Sequence, residues 1–356
     1  MILKIFCISN RNFVFYLSLL TKTTVIYRMF ATDSFKKKIF DLKSPDFEAA
    51  ALELFRYQAT ANAVYRQYLQ NLSIDIAAVT TIEAIPYLPI ELFKTHPIIS
   101  GKGEVQQTFS SSGTTGLQTS RHHLLDLSLY EQSFLKGFEH FYGSPQKYCF
   151  LALLPAYLER QGSSLVYMAH HLIKRSQHPK SGFYLYDYGA LADTIRQLEE
   201  AQQSTILLGV SFALWDLAEQ FPMPLQHTII METGGMKGKR EEVIREELHA
   251  IYQQAFEVKN IYSEYGMTEL LSQAYSKGEG IFRCPPWMKV LAREVTDPFN
   301  ILPPNRTGIL NIIDLANIHS CAFLATSDLG KYFEDGSFEV SGRMDESDIR
   351  GCNLLV

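Results

Sequence analysis

The residues best suited to chemistry begin with a run of small side chains directly after a short β-type segment. The run contains Ser111, Ser112, Gly113, Thr114, Thr115 and Gly116. Glycine tolerates positive φ and close approach of the backbone, so successive N–H groups can curl around an anion while the hydroxyls add donors. The pattern indicates a phosphate-binding loop, although the same residue types also build ordinary surface turns. The common nucleotide P-loop is excluded, because Leu117 stands where that motif needs a lysine.

A pair of adjacent glycines follows the strand predicted at 228–231. Gly234 and Gly235 would let a flat ligand lie against the backbone, and three cations follow them towards a helix predicted at 240–254. The same stretch also fits a plain glycine turn ahead of a solvated helix, so both interpretations stay open.

An aromatic ring, a hydroxyl and a carboxylate follow the strand predicted at 258–262. They belong to Tyr265, Thr268 and Glu269, which lie within five residues of one another. Such a set can stack on a base, contact a phosphate and hold a magnesium ion, whose preferred ligands are oxygens. This segment is therefore a candidate nucleotide and metal site.

More polar residues stand near the end of the chain. Asp328 lies in a predicted turn, where its carboxylate could accept bonds from two ribose hydroxyls, and Arg343 and Asp345 supply a cation and an acid. Cys352 follows a glycine in a short tail, and the nearby Arg350 favours a reactive thiolate. A free cysteine is more commonly a small buried apolar residue, so a structural Cys352 is the alternative.

The elements that must position these residues alternate between short apolar runs and helical segments. Strands are predicted at 148–154, 183–186, 205–210, 228–231, 258–262, 309–313 and 338–341, and helices from 47 towards 72 and at 126–142, 163–174, 190–203, 212–220 and 240–254. This alternation predicts an α/β fold with a mostly parallel sheet covered by helices on both faces. Ligands gather at the carboxyl ends of such strands, which are the loops after Phe109, Met231 and Tyr262.

Composition excludes several classes of protein. The 356 residues are 46% hydrophobic and 20% charged, with a net charge of −5, which argues against a nucleic-acid surface. Five widely spaced cysteines without a C-x-x-C pair exclude a disulfide scaffold and a zinc cluster and fit a reducing cytoplasm. The pairs His122–His123 and His170–His171 are predicted to be structural or solvent-facing, because adjacent side chains do not chelate one ion easily.

The chain is predicted to contain one folded body between two unusual ends. Residues 1–28 are interpreted as a leader or a misassigned start outside the fold, with a signal peptide or a membrane anchor as alternatives. Their apolar run is far shorter than the ~20 residues that a spanning helix needs. Residues 29–340 would form the catalytic domain, and 341–356 a hinge-like tail that carries Cys352.

Together these motifs resemble the adenylate-forming enzyme superfamily, and most closely its acyl-protein synthetase (LuxE) branch, which is related to phenylacetate–coenzyme A ligases. The resemblance covers residues 40 to the end. It depends on the order and spacing of segments 111–116, 265–269, 326–330 and 342–345, with further matches at 85–90, 154–160 and 350–354. Each motif alone is weak, whereas four in order are specific.

The resemblance implies a fold and a set of residue roles. The fold would be the adenylate-forming N-terminal domain, without the large C-terminal domain of the bigger ligases and the lysine it carries. Ser111 to Gly116 would hold the phosphates of ATP, Gly234 and Gly235 would flank adenine, and Tyr265 would stack on it. Further roles would be α-phosphate contact by Thr268, magnesium binding by Glu269, ribose binding by Asp328 and Arg343, and acyl acceptance by Cys352. Arg121 is the nearest cation to the phosphate loop, which lacks the Pro-Lys common in acyl–coenzyme A ligases.

The resemblance also implies a reaction. A fatty or similar carboxylic acid would react with ATP and Mg²⁺ to give an acyl-adenylate, and the acyl group would pass to a cysteine thiol or to a partner protein. Possible partners are an acyl reductase, an acyl carrier protein or coenzyme A, with no nucleic acid and no stable membrane span. One alternative is a coenzyme A or carrier-protein ligase with a structural Cys352. Another is a non-catalytic acyl- or nucleotide-binding subunit of an acyl reductase complex.

Overall fold

The computed structural model describes residues 30–111, 119–155, 162–236, 240 and 243–344. The helices of this part of the chain are α1 (Thr32–Ile39), α2 (Phe47–Ala61), α3 (Ala63–Asn71), α4 (Leu92–Thr95), α5 (Leu127–Tyr142), α6 (Ser164–Ser176), α7 (Tyr188–Glu200), α8 (Ser211–Gln220) and α9 (Arg245–Phe256). Its strands are β1 (Leu88–Pro89), β2 (Gln107–Ser110), β3 (Arg121–Leu124), β4 (Cys149–Leu153), β5 (Gly182–Phe183), β6 (Thr205–Val210), β7 (Thr228–Thr233), β8 (Tyr262–Tyr265), β9 (Ala274–Ser276), β10 (Ile281–Arg283), β11 (Met288–Arg293), β12 (Gly308–Asp314), β13 (Phe323–Tyr332) and β14 (Phe338–Arg343). Within these ranges, no helix combines the length and the apolar character needed to cross a lipid bilayer.

A mixed β-sheet organises the fold. Its strands follow the order β11-β12-β13-β14-β10-β9-β8-β7-β6-β4-β5, and β1 pairs with β13. The neighbours from β5 to β8 are parallel, whereas those from β8 to β11 are antiparallel. A separate hairpin joins β2 to β3. The α/β class is confirmed. The expected parallel strands form one half of the sheet, and the strands of the other half are antiparallel.

The parallel half is buried on both faces, as its sequence predicts. Every residue of β4 and of β6 is buried, and such uninterrupted apolar strands are typical of parallel sheets covered by helices. Side-chain oxygens of Ser163 and Asp187 accept hydrogen bonds from the first turns of α6 and α7. These caps fix where two of the crossover helices begin.

Several sequence-based boundaries differ from the structure. The helix predicted from Arg240 begins at Arg245, and the strands predicted at 258–262 and 183–186 lie at Tyr262–Tyr265 and Gly182–Phe183. The helix predicted from 47 towards 72 is interrupted at Asn62.

Some strands were not predicted, among them β9, β10, β11 and β13. Three residues each are too few to show a periodicity in β9 and β10. The prediction that Asp328 lies in a turn is wrong, because this residue lies within β13 and pairs with β14.

The interruption at Asn62 has a physical reason. The buried Asn62 side chain accepts a hydrogen bond from the backbone N–H of Tyr65, which caps α3. Its amide also donates to the hydroxyl of Ser100 and to the carbonyl of Ser320, both at 3.2 Å. Asn62 therefore ends α2, caps α3 and connects both helices to the antiparallel half of the sheet.

Asp314 anchors the turn that follows β8. Its fully buried carboxylate accepts bonds from the backbone N–H groups of Leu271, Ser272 and Ala316 at 2.8–3.1 Å, and from the Ser272 hydroxyl at 2.6 Å. Burial raises the pKa of Asp314, while these donors oppose the rise. The carboxylate thus holds residues 271–272, directly after the segment 265–269.

A second acidic side chain, Glu264, is buried within the sheet itself. Thr233 at the end of β7 donates its hydroxyl to the Glu264 carboxylate on β8. Burial raises the pKa of Glu264 to about 7, against the stabilising effect of that bond on the charged form. Glu264 therefore titrates near neutral pH, at the carboxyl end of the parallel strands.

Replacing Asp314 with alanine should lower the free energy of unfolding by about 3–5 kcal/mol, because several buried donors lose their acceptor together. Urea denaturation followed by circular dichroism measures the change. The matched control is Asp41→Ala, whose side chain is 82% exposed and whose loss should cost no more than about 0.5 kcal/mol. Equal losses in the two variants would show that Asp314 does not anchor the turn.

Replacing Glu264 with glutamine should change the pH dependence of stability. The folded-state pKa of Glu264 lies above its unfolded value, so its stabilising contribution is present in acid and lost as the pH rises from about 4.5 to about 7. The glutamine variant escapes this loss and should be more stable than the wild type at pH 8 by about 3 kcal/mol, with no difference near pH 4.5. Denaturation from pH 4.5 to 8 tests this, with the exposed Glu200→Gln as control. Parallel curves for wild type and Glu264→Gln would contradict it.

Candidate active site

Asp328 and Arg343 lie side by side on adjacent strands. They are register partners between β13 and β14, and the Arg343 Nε lies 3.6 Å from the Asp328 Oδ1. The Arg343 side chain is 66% exposed, whereas that of Asp328 is 13% exposed. The strand pairing thus brings together two residues predicted to hold the same ribose and leaves the cation open to a ligand.

Tyr265 joins this pair from the end of β8. Its hydroxyl donates to the Asp328 Oδ2 at 2.7 Å, and its ring packs against Phe282 and Phe338. The edge-to-face contact with Phe338 has a centroid distance of 5.4 Å and an interplanar angle of 76°. Packing on one side and the hydroxyl bond on the other fix the ring orientation. The predicted adenine-stacking role of Tyr265 stays a prediction.

Glu269 lies at the same place, with its carboxylate buried. The Ser120 side chain lies near enough to favour its charged form, and Arg343 and Asp328 are near enough to act on it electrostatically. The structure therefore brings Glu269 together with Asp328 and Arg343.

The base of the hydroxyl-rich run meets Glu269 through Ser120. The backbone N–H of Ser111 donates to the Ser120 carbonyl at 3.1 Å, and the Ser120 N–H donates to the Ser111 hydroxyl at 2.9 Å. These two bonds close the base of the run where β2 and β3 meet. Since the Ser120 side chain also lies near Glu269, the start of the predicted phosphate loop is close to the predicted metal ligand.

Some predicted residues lie outside the described ranges. They are Ser112, Gly113, Thr114, Thr115, Gly116 and Cys352. Their predicted roles stay predictions.

The two predicted adenine-flanking glycines follow β7. Gly234 has a φ of +74°, a left-handed conformation that glycine adopts without strain, and a side-chain carbon built on Gly235 would meet nothing within 4 Å. The backbone after β7 is therefore open at Gly235, as contact with a flat ligand requires. Glycine would be needed for the turn at Gly234 in any case, so the geometry fits both interpretations of the pair.

The electrostatics of the site are dominated by buried acids. Burial raises the pKa of Glu269 and of Asp328, and the charge of Asp328 adds to the rise at Glu269. Arg343 opposes the rise at both carboxyls, and the Tyr265 hydroxyl opposes it at Asp328. A bound cation would remove the cost of keeping both groups ionised. Carboxylate and hydroxyl oxygens are the ligands of magnesium, so the donor set fits that ion at Glu269.

Two residues that support the site were missed by sequence reasoning. His122 on β3 contacts the carbonyl of Thr268, and Asn317 donates to the carbonyl of Glu269. Burial lowers the pKa of His122 to about 4, so the ring is neutral at neutral pH. The alternation of β3 was the available signal, because it places His122 on the same face as the buried Leu124. His122 is structural, as predicted, but its contact with the site was not foreseen.

The sequence matches a family model and a curated protein. The model described as acyl-protein synthetase, LuxE, matches residues 19–131. Over 69 residues the chain is 36% identical to the long-chain-fatty-acid–luciferin-component ligase of Photorhabdus luminescens. That alignment covers 19% of this chain and 59% of the relative, which is less than two thirds of the relative's own length.

Solved structures share the fold. ATP-bound MatB from Rhodopseudomonas palustris aligns with a TM-score of 0.51 and 17% identity, over 68% of this chain and 49% of MatB. An open conformation of 2-hydroxyisobutyryl-CoA ligase, in complex with 2-HIB-AMP and CoA, aligns with a TM-score of 0.61 and 12% identity, over 86% and 71% of the two chains. Identities this low show the fold alone. The fold is that of the adenylate-forming enzymes, and the resemblance of this chain to the acyl-protein synthetase (LuxE) family is confirmed.

Proposed function

We propose that this protein activates a carboxylic acid with ATP, releasing pyrophosphate, and transfers the acyl group from the resulting acyl-adenylate to a thiol. The observation that carries the proposal is the convergence of Glu269, Asp328 and Arg343 with the base of the hydroxyl-rich run at Ser111 and Ser120. Four segments far apart in sequence supply the groups that a nucleotide triphosphate requires.

The first step joins two anions. A carboxylate oxygen of the acid attacks the α-phosphorus, an O–P bond forms, and the bond to the β-phosphate oxygen breaks as pyrophosphate leaves. The acid is already ionised at neutral pH, so no side chain has to remove a proton. The site must instead align the two groups and compensate their charge, which accounts for most of the rate enhancement in such reactions.

Different residues of the site would align the nucleotide and compensate its charge. Arg343, exposed beside Asp328, provides a cation for the nucleotide, while Asp328 and Tyr265 form a fixed polar edge that suits a ribose. Thr268 and the hydroxyl-rich run would donate to the phosphates. Magnesium bound by Glu269 would compensate the charge that develops on the departing pyrophosphate.

The second step moves the acyl group to sulfur. A thiolate attacks the carbonyl carbon of the acyl-adenylate, a C–S bond forms and AMP leaves, while the proton of the thiol passes to solvent. Cys352 is the proposed acceptor within the chain, and an acyl reductase or acyl carrier protein the proposed further acceptor. The name of the Photorhabdus relative and the LuxE match support a long-chain fatty acid as the substrate.

A second candidate function is supported by one observation. The structural neighbour that aligns over 86% of this chain is a coenzyme A ligase, which favours coenzyme A as the thiol and a structural Cys352. In that case the first step is unchanged and only the acceptor differs. A non-catalytic acyl- or nucleotide-binding subunit is the remaining alternative, and the convergence of the acidic and cationic groups argues against it.

Substrate-dependent pyrophosphate–ATP exchange should be present in the wild type and fall at least about 100-fold in Glu269→Gln, because the amide cannot replace a charged magnesium ligand. A panel of short, aromatic and long-chain acids should identify the long-chain acids as the best substrates. The matched control is Glu200→Gln at the exposed end of α7, which should keep full exchange. Absence of exchange with every acid in the wild type would favour a binding-only subunit.

The intact mass after incubation with ATP and a long-chain acid should show one acyl adduct that hydroxylamine removes. Cys352→Ser should abolish the adduct and leave pyrophosphate exchange unchanged, because the thiol acts only in the second step. Cys284→Ser serves as the control, since burial raises the pKa of that thiol and makes it a poor nucleophile. Rapid loss of the adenylate to coenzyme A, with no adduct and no effect of Cys352→Ser, would favour the ligase alternative.

A further inference from the structure

The His122 side chain lies behind the candidate active site, where it contacts three other residues. The side chain is buried, with its Nδ1 2.8 Å from the carbonyl oxygen of Thr268 and its Nε2 3.1 Å from the Oδ1 of Asn317. The edge of the Phe93 ring packs against the imidazole at a centroid distance of 5.6 Å and an interplanar angle of 88°. The packing and the two polar contacts favour one ring orientation. Because the carbonyl oxygen of Thr268 can only accept, we assign the N–H to Nδ1, which donates to Thr268.

Asn317 extends the same support to the next residue. Its Nδ2 donates to the carbonyl of Glu269 at 2.8 Å, and its own carbonyl accepts a bond from the Gln58 side chain at 2.8 Å. The backbone carbonyls of Thr268 and Glu269 are thus each held by a buried side chain. These buried side chains therefore fix two consecutive peptide groups in the segment that is predicted to contact phosphate and magnesium.

The strand that carries His122 also carries the contact to the other predicted phosphate-binding element. Ser120 lies two residues before His122, is near Glu269 and closes the base of the hydroxyl-rich run with Ser111. The chain that leads into β3 therefore lies near the Glu269 side chain at Ser120 and contacts the Thr268 backbone at His122. These two neighbours set the position of Ser111, bonded to Ser120, relative to the turn at 268–269.

We propose that His122 is a positioning residue that locks the Thr268–Glu269 turn against the base of the hydroxyl-rich run, so that the groups for magnesium and for the phosphates are aligned before the nucleotide binds. This inference rests on the proposed function, because it assumes that the two elements hold one nucleotide. His122 reaches no reacting atom and acts only through the backbone. A displacement of about 1 Å at such a turn can cost about 100-fold in rate.

Two substitutions of similar polarity test the contact that matters. In His122→Asn the side-chain amide can place an N–H near the Nδ1 position, whereas in His122→Gln the amide reaches towards the Nε2 position. We expect His122→Gln to weaken magnesium-dependent ATP binding about tenfold in calorimetry, and His122→Asn to stay within about threefold of the wild type. His122→Ala should resemble the glutamine variant.

The control is His123→Ala on the same strand. His123 is only half-buried and contacts Thr108 rather than the turn, so its loss should leave ATP binding unchanged. Melting temperatures are measured for every variant, and binding is compared well below the lowest of them. Should the alanine variant fail to fold, the comparison between asparagine and glutamine decides the question.

The outcomes separate positioning from plain stability. Lower melting temperatures in all three His122 variants, with magnesium-dependent ATP affinity equal to the wild type, would overturn the proposal. Equal weakening in His122→Asn and His122→Gln would overturn the assigned bond to Thr268. Failure of the wild type itself to bind ATP or to catalyse exchange would reject the proposed function, and that result is visible before any variant is compared.

Discussion

The site depends on keeping two carboxylates out of water close to each other. Glu269 and Asp328 are both largely buried, and burial makes ionisation of each less favourable. Tyr265 donates its hydroxyl to Asp328, the Ser120 side chain lies near Glu269, and Arg343 supplies a largely exposed positive charge. Such groups are stable as anions only when further positive charge is nearby. The arrangement is therefore suited to a ligand that brings a metal ion with it.

Buried side chains position the candidate site by holding the backbone of the turn after β8. Asp314 holds the peptide groups of Leu271 and Ser272, while His122 and Asn317 hold those of Thr268 and Glu269. Each of these bonds is short-range in space and very long-range in sequence. The turn after β8 is thus specified by residues that precede it and residues that follow it in the sequence.

The N-terminal helices take part in this framework. Gln58 on α2 donates to the carbonyls of Asn317 and Ile318 and accepts from the N–H of Ala322. Asn62, between α2 and α3, reaches the carbonyl of Ser320. These helices therefore shape the loop between β12 and β13, on which the support of the site depends.

The sequence allowed the candidate site residues to be selected, but not the buried residues that contact them. Asp328, Arg343 and Glu269 could be selected because their types and their order along the chain are specific, and the structure brings them together. Glu264 and Asn317 could not, because burial of a polar side chain depends on partners that are distant in sequence. A local sequence pattern does not reveal such a pairing of distant residues.

The strands were predicted unevenly for a related reason. The parallel strands β4 and β6 are continuous, fully buried runs of mainly apolar residues, which is typical of parallel sheets. In contrast, β9 and β10 are short strands that exist only because they add to the edge of β8 and to β14. Their formation is decided by pairing, which a local pattern does not record.

The pairing of β13 with β14 has a consequence for the end of the chain. It places Arg343 beside Asp328, and Met344 donates its N–H to the carbonyl of Ser327. Cys352 is eight residues beyond Met344, so the polypeptide between them can span at most about 26–29 Å. If Cys352 accepts the acyl group as proposed, a tether this short would present its thiol to the proposed nucleotide site at an effective concentration on the order of millimolar.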